Sequence, residues 1–396
     1  MAVSPSRIYL DYNASAPLRA EAREALVAAL SAANPSSVHR EGREARALVE
    51  DARRSVADLV GANPGEVTFT SGASESANMA LSSAWLVSGS SVDHGALAVL
   101  ETDHAAFLEG GRFDAGEVTR LRVDANGVLD PESLADWIDG LGGRRGLLAV
   151  DLANSETGTL QDIEQIARQI EGRNVTLVVD AAQCAGRIPL DFARVPADAM
   201  ILSAHKLGGP KGIGAIVLKS TSTRPYPLIR GGGQEKGRRS GTEAVAEIAG
   251  FGAAARGCLF DLRNDDGRMV RLRDALDAAV TEASPRTKVL GDGARRLPNT
   301  SAYLTPGLKS ETAQIAIDLA GIAVSAGSAC SSGKVGRSHV VEAMVRAGLD
   351  VDAADGALRV SFGFETSEAE LMRFATEYTR LALRVGGEGG YAERAA

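Results

Sequence analysis

The chain has 396 residues, of which 44% are hydrophobic and 24% are charged, and its formal net charge at pH 7 is -8. This length and apolar content predict a globular protein with a substantial core and room for two domains. The mixed, net negative charge argues against general nucleic-acid binding, which needs an excess of lysine and arginine. Residues 1–5 show no basic-then-apolar leader, and no apolar run is long enough to span a bilayer.

The first elements in chain order are two predicted helices. Residues 19–30 and 42–60 have helical periodicity, and Gly61 follows the second helix as a C-terminal cap would. Short apolar runs then alternate with helical segments up to about Lys219. This alternation predicts an α/β fold with a mostly parallel central sheet wrapped by helices.

The second half of the chain predicts a smaller domain. An alanine-rich stretch, 241–262, indicates a long helix, and residues 264–267 form a local breaker. We therefore predict a large domain of residues 13–262, and a smaller α+β domain formed by residues 1–12 and 263–396. Residues 367–383 would be its last amphipathic helix, and the glycine-rich sequence from residue 386 predicts a disordered tail.

An acid and a lysine follow two of the apolar runs. Asp180 ends the run 176–180, and Lys206 comes shortly after the run 199–203. Buried parallel strands have this composition, and open α/β sheets bind ligands outside the carboxyl ends of their strands. An amine and a carboxylate facing one crevice are what pyridoxal phosphate requires, the carboxylate for its ring nitrogen. The alternative for each residue alone is a helix cap or a solvated lysine.

Two further features support a cofactor site. The small, hydroxyl-rich turn from Thr70 to Ser76 follows a strand-like run and opens a helix, so its backbone N–H groups could bind a phosphate. The same sequence is also an ordinary helix start. His104, after the apolar run 96–100, offers an imidazole that could stack on a planar ring, although a lone histidine there is often structural.

With these motifs on one chain, the sequence resembles the cysteine desulfurases of the NifS/IscS type, fold-type I pyridoxal phosphate enzymes of the class-V aminotransferase family. The resemblance covers nearly the whole length. It is carried by the segments 10–14, 34–37, 70–76, 180–183, 203–206, 231–235, 239–242, 325–330 and 359–363.

The resemblance implies a role for each matching residue. Lys206 would bond covalently to the cofactor, Asp180 would keep its ring nitrogen protonated, and Gln183 would bind its ring hydroxyl. His104 would stack on the ring and relay protons. The phosphate contacts would be Ala73, Ser74, Ser203 and His205, with Thr242 contributed by a second subunit of a homodimer. Arg359 would bind the substrate carboxylate as a bidentate fork, assisted by Asn13 and Asn154.

Cys330 narrows the implied chemistry to sulfur transfer. Its thiolate would attack the sulfur of L-cysteine, releasing L-alanine and leaving a persulfide whose sulfur passes to an iron–sulfur scaffold or a sulfur-carrier protein. The small residues around it are typical of a loop. Cys184 and Cys258 lie in no comparable loop, no CxxC spacing occurs, and the histidines lack metal-ligand spacing. Few cysteines and a reactive thiol predict a reducing cytoplasm.

The sequence departs from the family pattern at two site positions. Ser155 stands where many relatives have a second asparagine, so a hydroxyl would replace an amide contact to the cofactor or substrate. Gln234 stands where some relatives have a histidine, which removes one acid or base.

Two other functions remain open at this stage. A related pyridoxal phosphate lyase or aminotransferase would share Lys206 and Asp180 without needing Cys330, and selenocysteine could be the substrate. A non-catalytic paralogue would serve only as a dimeric binding module.

Overall fold

The structure is a computed structural model that describes residues 7–220, 222–327 and 337–392, with side chains described to residue 385. Its helices are α1 Ala20–Ala29, α2 Arg40–Val60, α3 Ala73–Ala80, α4 Ala105–Leu108, α5 Pro131–Gly140, α6 Ile163–Ile170, α7 Val245–Asn264, α8 Arg268–Ala283, α9 Ser310–Leu319, α10 His339–Arg346 and α11 Glu368–Ala392.

The strands up to residue 180 are β1 Ile8–Tyr9, β2 Val67–Thr70, β3 Ala84–Val87, β4 Ser90–Asp93, β5 Ala96–Leu100, β6 Val118–Leu121, β7 Gly146–Asp151 and β8 Val175–Asp180. The later strands are β9 Ala199–Ser203, β10 Gly214–Leu218, β11 Arg224–Pro225, β12 Lys288–Val289, β13 Thr300–Leu304, β14 Ile322–Ala323, β15 Ser325–Ala326 and β16 Leu358–Ser361.

The largest sheet of the described residues has seven strands in the order β2-β10-β9-β8-β7-β5-β6. The strands from β9 to β6 are parallel, whereas β10 runs antiparallel to both of its neighbours. Strands β5, β7, β9 and β10 are buried at every position, because helices cover both faces of the sheet. The predicted fold class is confirmed.

Helix α7 packs closely against α2. A Cβ atom on Gly252 of α7 would lie 2.5 Å from the Cα of Ala52, so only glycine permits this approach. Helix α2 ends at Val60 as predicted, with Gly61 in the left-handed region at φ 63°. These helices cover one face of the sheet, and β3 and α3 pack on the other.

The smaller unit has a four-stranded sheet in the order β12-β13-β16-β15. Its core joins Ile8 and Leu10 to residues of α8, α9 and α11, and β1 pairs with β14. The N-terminal residues therefore pack with the second half of the chain. The division of the chain near residue 262 stays a prediction.

The predicted disordered tail from Gly386 was wrong for the backbone up to Ala392, because α11 continues through the glycines. A helix that is already nucleated over many residues can extend through glycine at a modest cost per residue. Within the described ranges, no helix combines the length and the apolar character that crossing a membrane requires.

Candidate active site

One cavity of about 560 Å³ lies at the carboxyl ends of the central strands. Asp151 ends β7, Asp180 ends β8, and Lys206 ends the short 3₁₀ turn that follows β9. The turn between β2 and α3 closes the opposite side. Parallel strands place their carboxyl ends at one sheet edge, so groups from distant parts of the chain share this crevice.

Lys206 lines the cavity and is held by the N-terminal segment. Its Nζ donates to the carbonyl oxygen of Asn13 at 2.6 Å and to that of Ala14 at 3.1 Å. The amine is therefore already fixed in position, and a ligand that bonds to Nζ would take the place of these two contacts.

Asp180 faces the same cavity. Its Oδ1 accepts a hydrogen bond from the Ala182 N–H at 2.8 Å. Burial raises the pKa of Asp180 to about 6, while that hydrogen bond and the charge of Lys206 act in the opposite direction. A basic group placed beside this carboxylate would be strongly favoured in its protonated, positively charged form.

The turn before α3 forms one side of the cavity. Ala73 and Ser74 lie in the first turn of α3, where backbone N–H groups have no partner within the helix. The Glu75 carboxylate accepts from the Ser71 N–H at 2.7 Å and pairs with Arg239 at 2.9 Å, which fixes the turn. Lys211, which the sequence analysis missed, also lines the cavity.

Ser203 and His205 line the cavity as well, beside the turn. Burial, with the neighbouring charges of Lys206 and Lys211, lowers the pKa of His205 to about 4. Its imidazole is therefore neutral near pH 7, and its Nδ1 lies 3.3 Å from the Ser15 Oγ. Thr242 is exposed and does not line the cavity of its own chain.

His104 reaches the cavity from the junction of β5 and α4. Its Nδ1 accepts from the Ala106 N–H at 3.1 Å, which leaves the ring proton on Nε2. Burial, together with the charges of Lys206 and His339, lowers the pKa of His104. A neutral imidazole with a defined tautomer can stack on a ring and donate a proton from Nε2.

Gln183 lines the cavity within a buried network around Arg187. The Arg187 guanidinium donates to Gln183 Oε1 at 2.5 Å and to Asn13 Oδ1 at 2.7 Å, and the Gln183 amide donates to the Asn13 carbonyl. The sequence analysis missed Arg187. Asn13 is fully buried and does not line the cavity: its backbone carbonyl accepts from Lys206, while its side chain contacts Arg187.

The turn after β7 carries two of the predicted contact residues, and only one of them lines the cavity. Ser155 lines the cavity, whereas the Asn154 side chain closes the turn by accepting from the Glu156 N–H at 2.9 Å and donating to the Thr102 carbonyl at 2.8 Å. Burial raises the pKa of Glu156 to about 7, and its carboxylate accepts from the Ser338 Oγ at 2.6 Å.

Arg359 on β16 is 1% exposed. Its guanidinium donates to Asp11 Oδ1 at 2.7 Å and to the Ser155 carbonyl at 2.9 Å. The side chain is thus adjacent to a cavity residue but is not itself part of the lining. Binding of a substrate carboxylate by Arg359 stays a prediction.

Cys330 lies outside the described residues. The two described cysteines are buried, and burial raises the pKa of the Cys184 thiol and raises that of Cys258 to about 11. Neither side chain is a nucleophile at neutral pH. Over the described ranges, no group of three or more His, Cys, Asp or Glu side chains is arranged to hold a metal ion.

Comparison with known proteins identifies the family. The model of the aminotransferase class-V family matches residues 8–374. The chain belongs to this family.

Two curated class-V relatives have names that agree with the resemblance. "Cysteine desulfurase" of Cereibacter sphaeroides is 39% identical over 379 residues, which cover 93% of each chain. "Cysteine desulfurase IscS" of Dictyoglomus turgidum is 36% identical over 371 residues, covering 92% of this chain and 91% of the relative. Among solved structures, the NifS-like protein from Rickettsia africae matches with a TM-score of 0.82 and 27% identity, over 95% of this chain and 99% of that one.

The class-V enzymes depend on pyridoxal phosphate, and the residues of this cavity fit that group. An amine, a half-buried carboxylate and a helix N-terminus with hydroxyls nearby match its aldehyde, ring nitrogen and phosphate in one cavity. Lys206, Asp180, Ala73 and Ser74 would hold it. Asp151, which the sequence analysis also missed, lines the same cavity beside Asp180. The sequence feature that could have identified Asp151 is its position as an acidic residue at the end of another apolar run.

Proposed function

We propose that this protein is a cysteine desulfurase, which converts L-cysteine to L-alanine and transfers the sulfur to Cys330 as a persulfide. One observation carries the proposal: Lys206, Asp180 and the turn before α3 face a single cavity in a chain that resembles cysteine desulfurases over more than nine-tenths of its length.

Each cavity residue has a task in this reaction. Lys206 would hold the cofactor and, after the substrate amine replaces it, its Nζ would move the α-proton. Pyridoxal phosphate, when bound, supplies an electron sink for the carbon that loses this proton. The neutral His104 would donate or accept a proton at Nε2. Asp180 would stabilise positive charge on the ring nitrogen, and the support of Lys206 by Asn13 keeps the amine oriented.

In the sulfur-transfer step, Cys330 would be the nucleophile. Its thiolate would form a bond to the substrate sulfur while the substrate Cβ–S bond breaks. The electron pair of that bond stays with carbon, which takes up a proton to become the methyl group of L-alanine. The persulfide sulfur would then pass to a thiol acceptor, so no external oxidant is required.

The assembly and partners are part of the proposal. Thr242 is exposed, and Arg239 ties its segment to the turn before α3 through Glu75. This placement supports a homodimer in which Thr242 contributes to the cofactor phosphate of the second subunit. We also propose a sulfur-acceptor protein, such as an iron–sulfur scaffold or sulfur carrier, and a cytoplasmic location that keeps Cys330 reduced.

The test is to incubate the protein, loaded with pyridoxal phosphate, with L-cysteine and a reductant, and to measure sulfide and alanine. The native chain should release both, and Cys330→Ser should release neither above background. The matched control is Cys258→Ser, because Cys258 is buried and its Sγ donates to the Leu207 carbonyl, which a hydroxyl can also do. Normal turnover of Cys330→Ala would instead support another lyase or aminotransferase, and a chain that binds no cofactor would support a binding module.

A further inference from the structure

A second acidic residue lies beside Asp180 in the cavity. Asp151 ends β7 in register with Asp180 at the end of β8, and both side chains line the same space. Residues paired in register on neighbouring parallel strands point to the same face of the sheet. Two carboxyl groups therefore lie side by side in the cavity, at the ends of β7 and β8.

Asp151 is also bound to the residue expected to stack on the ring. Its Oδ2 accepts from the His104 backbone N–H at 2.8 Å. The imidazole of that residue is fixed in turn by the Ala106 N–H. Since Asp151 is 6% exposed, this contact is shielded from water and holds the start of α4 in place.

A third carboxylate supports Asp151 from behind. Asp103 is 1% exposed and accepts from the Asp151 N–H at 3.0 Å and from the Leu100 N–H at 2.8 Å. Burial, together with the charge of Asp180, raises the pKa of Asp103 to about 8, so Asp103 is mostly protonated near pH 7. It orients the Asp151 backbone without adding a full charge.

We infer that Asp151 is a positioning residue that fixes His104 against the cofactor ring and places a second carboxyl group beside Asp180. This inference rests on the proposed function, because it concerns the same cofactor. An ionised Asp151 would favour the protonated form of the bound cofactor, and its hydrogen bond fixes the His104 backbone from which the imidazole extends. The titratable groups around Asp151 are Asp103 and His104 near β5, Glu75 on α3, Glu156 after β7, Asp180 at the end of β8, Cys184 after it, His205, Lys206 and Lys211 after β9, and His339 on α10.

Two variants of the cofactor-loaded protein separate these effects. Asp151→Asn keeps an oxygen acceptor and the volume but removes the charge, whereas Asp151→Ala removes the acceptor as well. Two signals are read without L-cysteine: the pH midpoint of the visible absorbance of bound pyridoxal phosphate, and its circular dichroism. Thermal unfolding and the retained cofactor are measured alongside.

Asp151→Asn should lower the absorbance midpoint by about one pH unit or more, since a charge within several ångströms acts through a low dielectric. Its circular dichroism should stay native. Asp151→Ala should show the same lowered midpoint together with altered circular dichroism, because His104 loses its anchor.

The matched control is Asp198→Asn. Asp198 is a buried carboxylate that accepts a hydrogen bond from the Leu177 N–H at 2.9 Å. It lies at the amino end of β9, whereas the cavity lies at the carboxyl ends of the strands. Its substitution should leave the midpoint unchanged.

An unchanged midpoint in Asp151→Asn would overturn the inference even if the native protein releases sulfide. If that variant does not fold, the absorbance midpoint of Asp151→Ala is the deciding measurement. Loss of cofactor from both Asp151 variants but not from Asp198→Asn supports the inference. A native protein that binds the cofactor without desulfurating L-cysteine would refute the proposed function alone.

Discussion

The buried ion pair between Arg53 and Glu235 gives a prediction that links stability to the cofactor site. The guanidinium donates to the two carboxylate oxygens at 2.7 and 2.8 Å, and the side chains are 4% and 3% exposed. Glu235 also accepts from the Phe69 N–H at 3.1 Å, and the guanidinium lies 4.9 Å from the centre of the Phe69 ring.

This pair holds a strained turn. Glu235 and Lys236 have φ angles of 49° and 58°, a region that costs a non-glycine residue roughly 1 kcal/mol or more. The turn leads to Arg239, which pairs with Glu75 in the lining of the cavity. Loss of the ion pair should therefore loosen both the turn and the contact with the cavity.

We expect Glu235→Gln to lower the free energy of unfolding by about 3 kcal/mol, because it leaves a buried guanidinium without its counter-charge. Replacing both partners, as Arg53→Met with Glu235→Leu, should cost less than Glu235→Gln, since no charge is left buried. Glu50→Gln is the control. Glu50 contacts Arg53 at 3.3 Å but is 34% exposed, so its loss should cost under about 1 kcal/mol.

The assay is urea unfolding followed by far-ultraviolet circular dichroism, at one protein concentration and with saturating pyridoxal phosphate. The same variants are tested for cofactor retention after gel filtration, where Glu235→Gln should retain less than Glu50→Gln. A loss of stability below about 1 kcal/mol for Glu235→Gln, or a double variant less stable than that single one, would refute this reasoning.

Three further predictions follow from other contacts. The pKa of Asp103, about 8, lies above its unfolded value of 3.8, so the native state keeps a proton that the unfolded chain loses and stability falls as pH rises between these values. In urea unfolding between pH 5 and 7, Asp103→Asn should reduce the slope of the free energy of unfolding against pH by up to about 1.4 kcal/mol per pH unit. Ser338→Ala should cost about 2 kcal/mol, and more above pH 7, because Ser338 caps α10 and donates to the buried Glu156. If Arg359 binds the substrate carboxylate, Arg359→Lys should raise the KM for L-cysteine at least about tenfold in steady-state assays.

Matched variants distinguish these effects from general damage. Asp162→Ala removes an exposed N-terminal cap from α6 and should cost only about 1 kcal/mol at any pH near neutral. Arg296 pairs with Asp277 while 8% exposed, away from the cavity, so Arg296→Lys should lose stability without a change in KM. A pH slope kept in Asp103→Asn, equal costs for the two cap variants, or an unchanged KM for Arg359→Lys would contradict the respective prediction.

The sequence alone determined the elements and the chemistry that they carry. Strands such as 199–203 are continuous apolar runs, and a polar residue at the end of each run is visible without coordinates. Because parallel strands place these ends at one edge, Asp180, Lys206 and the turn before α3 could be assigned to one cavity in advance. The C-terminal cap at Gly61 was predictable for the same local reason.

Only the tertiary structure decided what supports those groups. The Asn13 carbonyl accepts from Lys206 across 193 positions of sequence, Arg187 lies beneath the cavity, and Asp151 stands in register with Asp180. Local sequence encodes which residues form a strand or helix and which face is apolar. Strand register and contacts between distant segments depend instead on how all the elements pack together. The identity of one side chain does not indicate which distant residue it will contact.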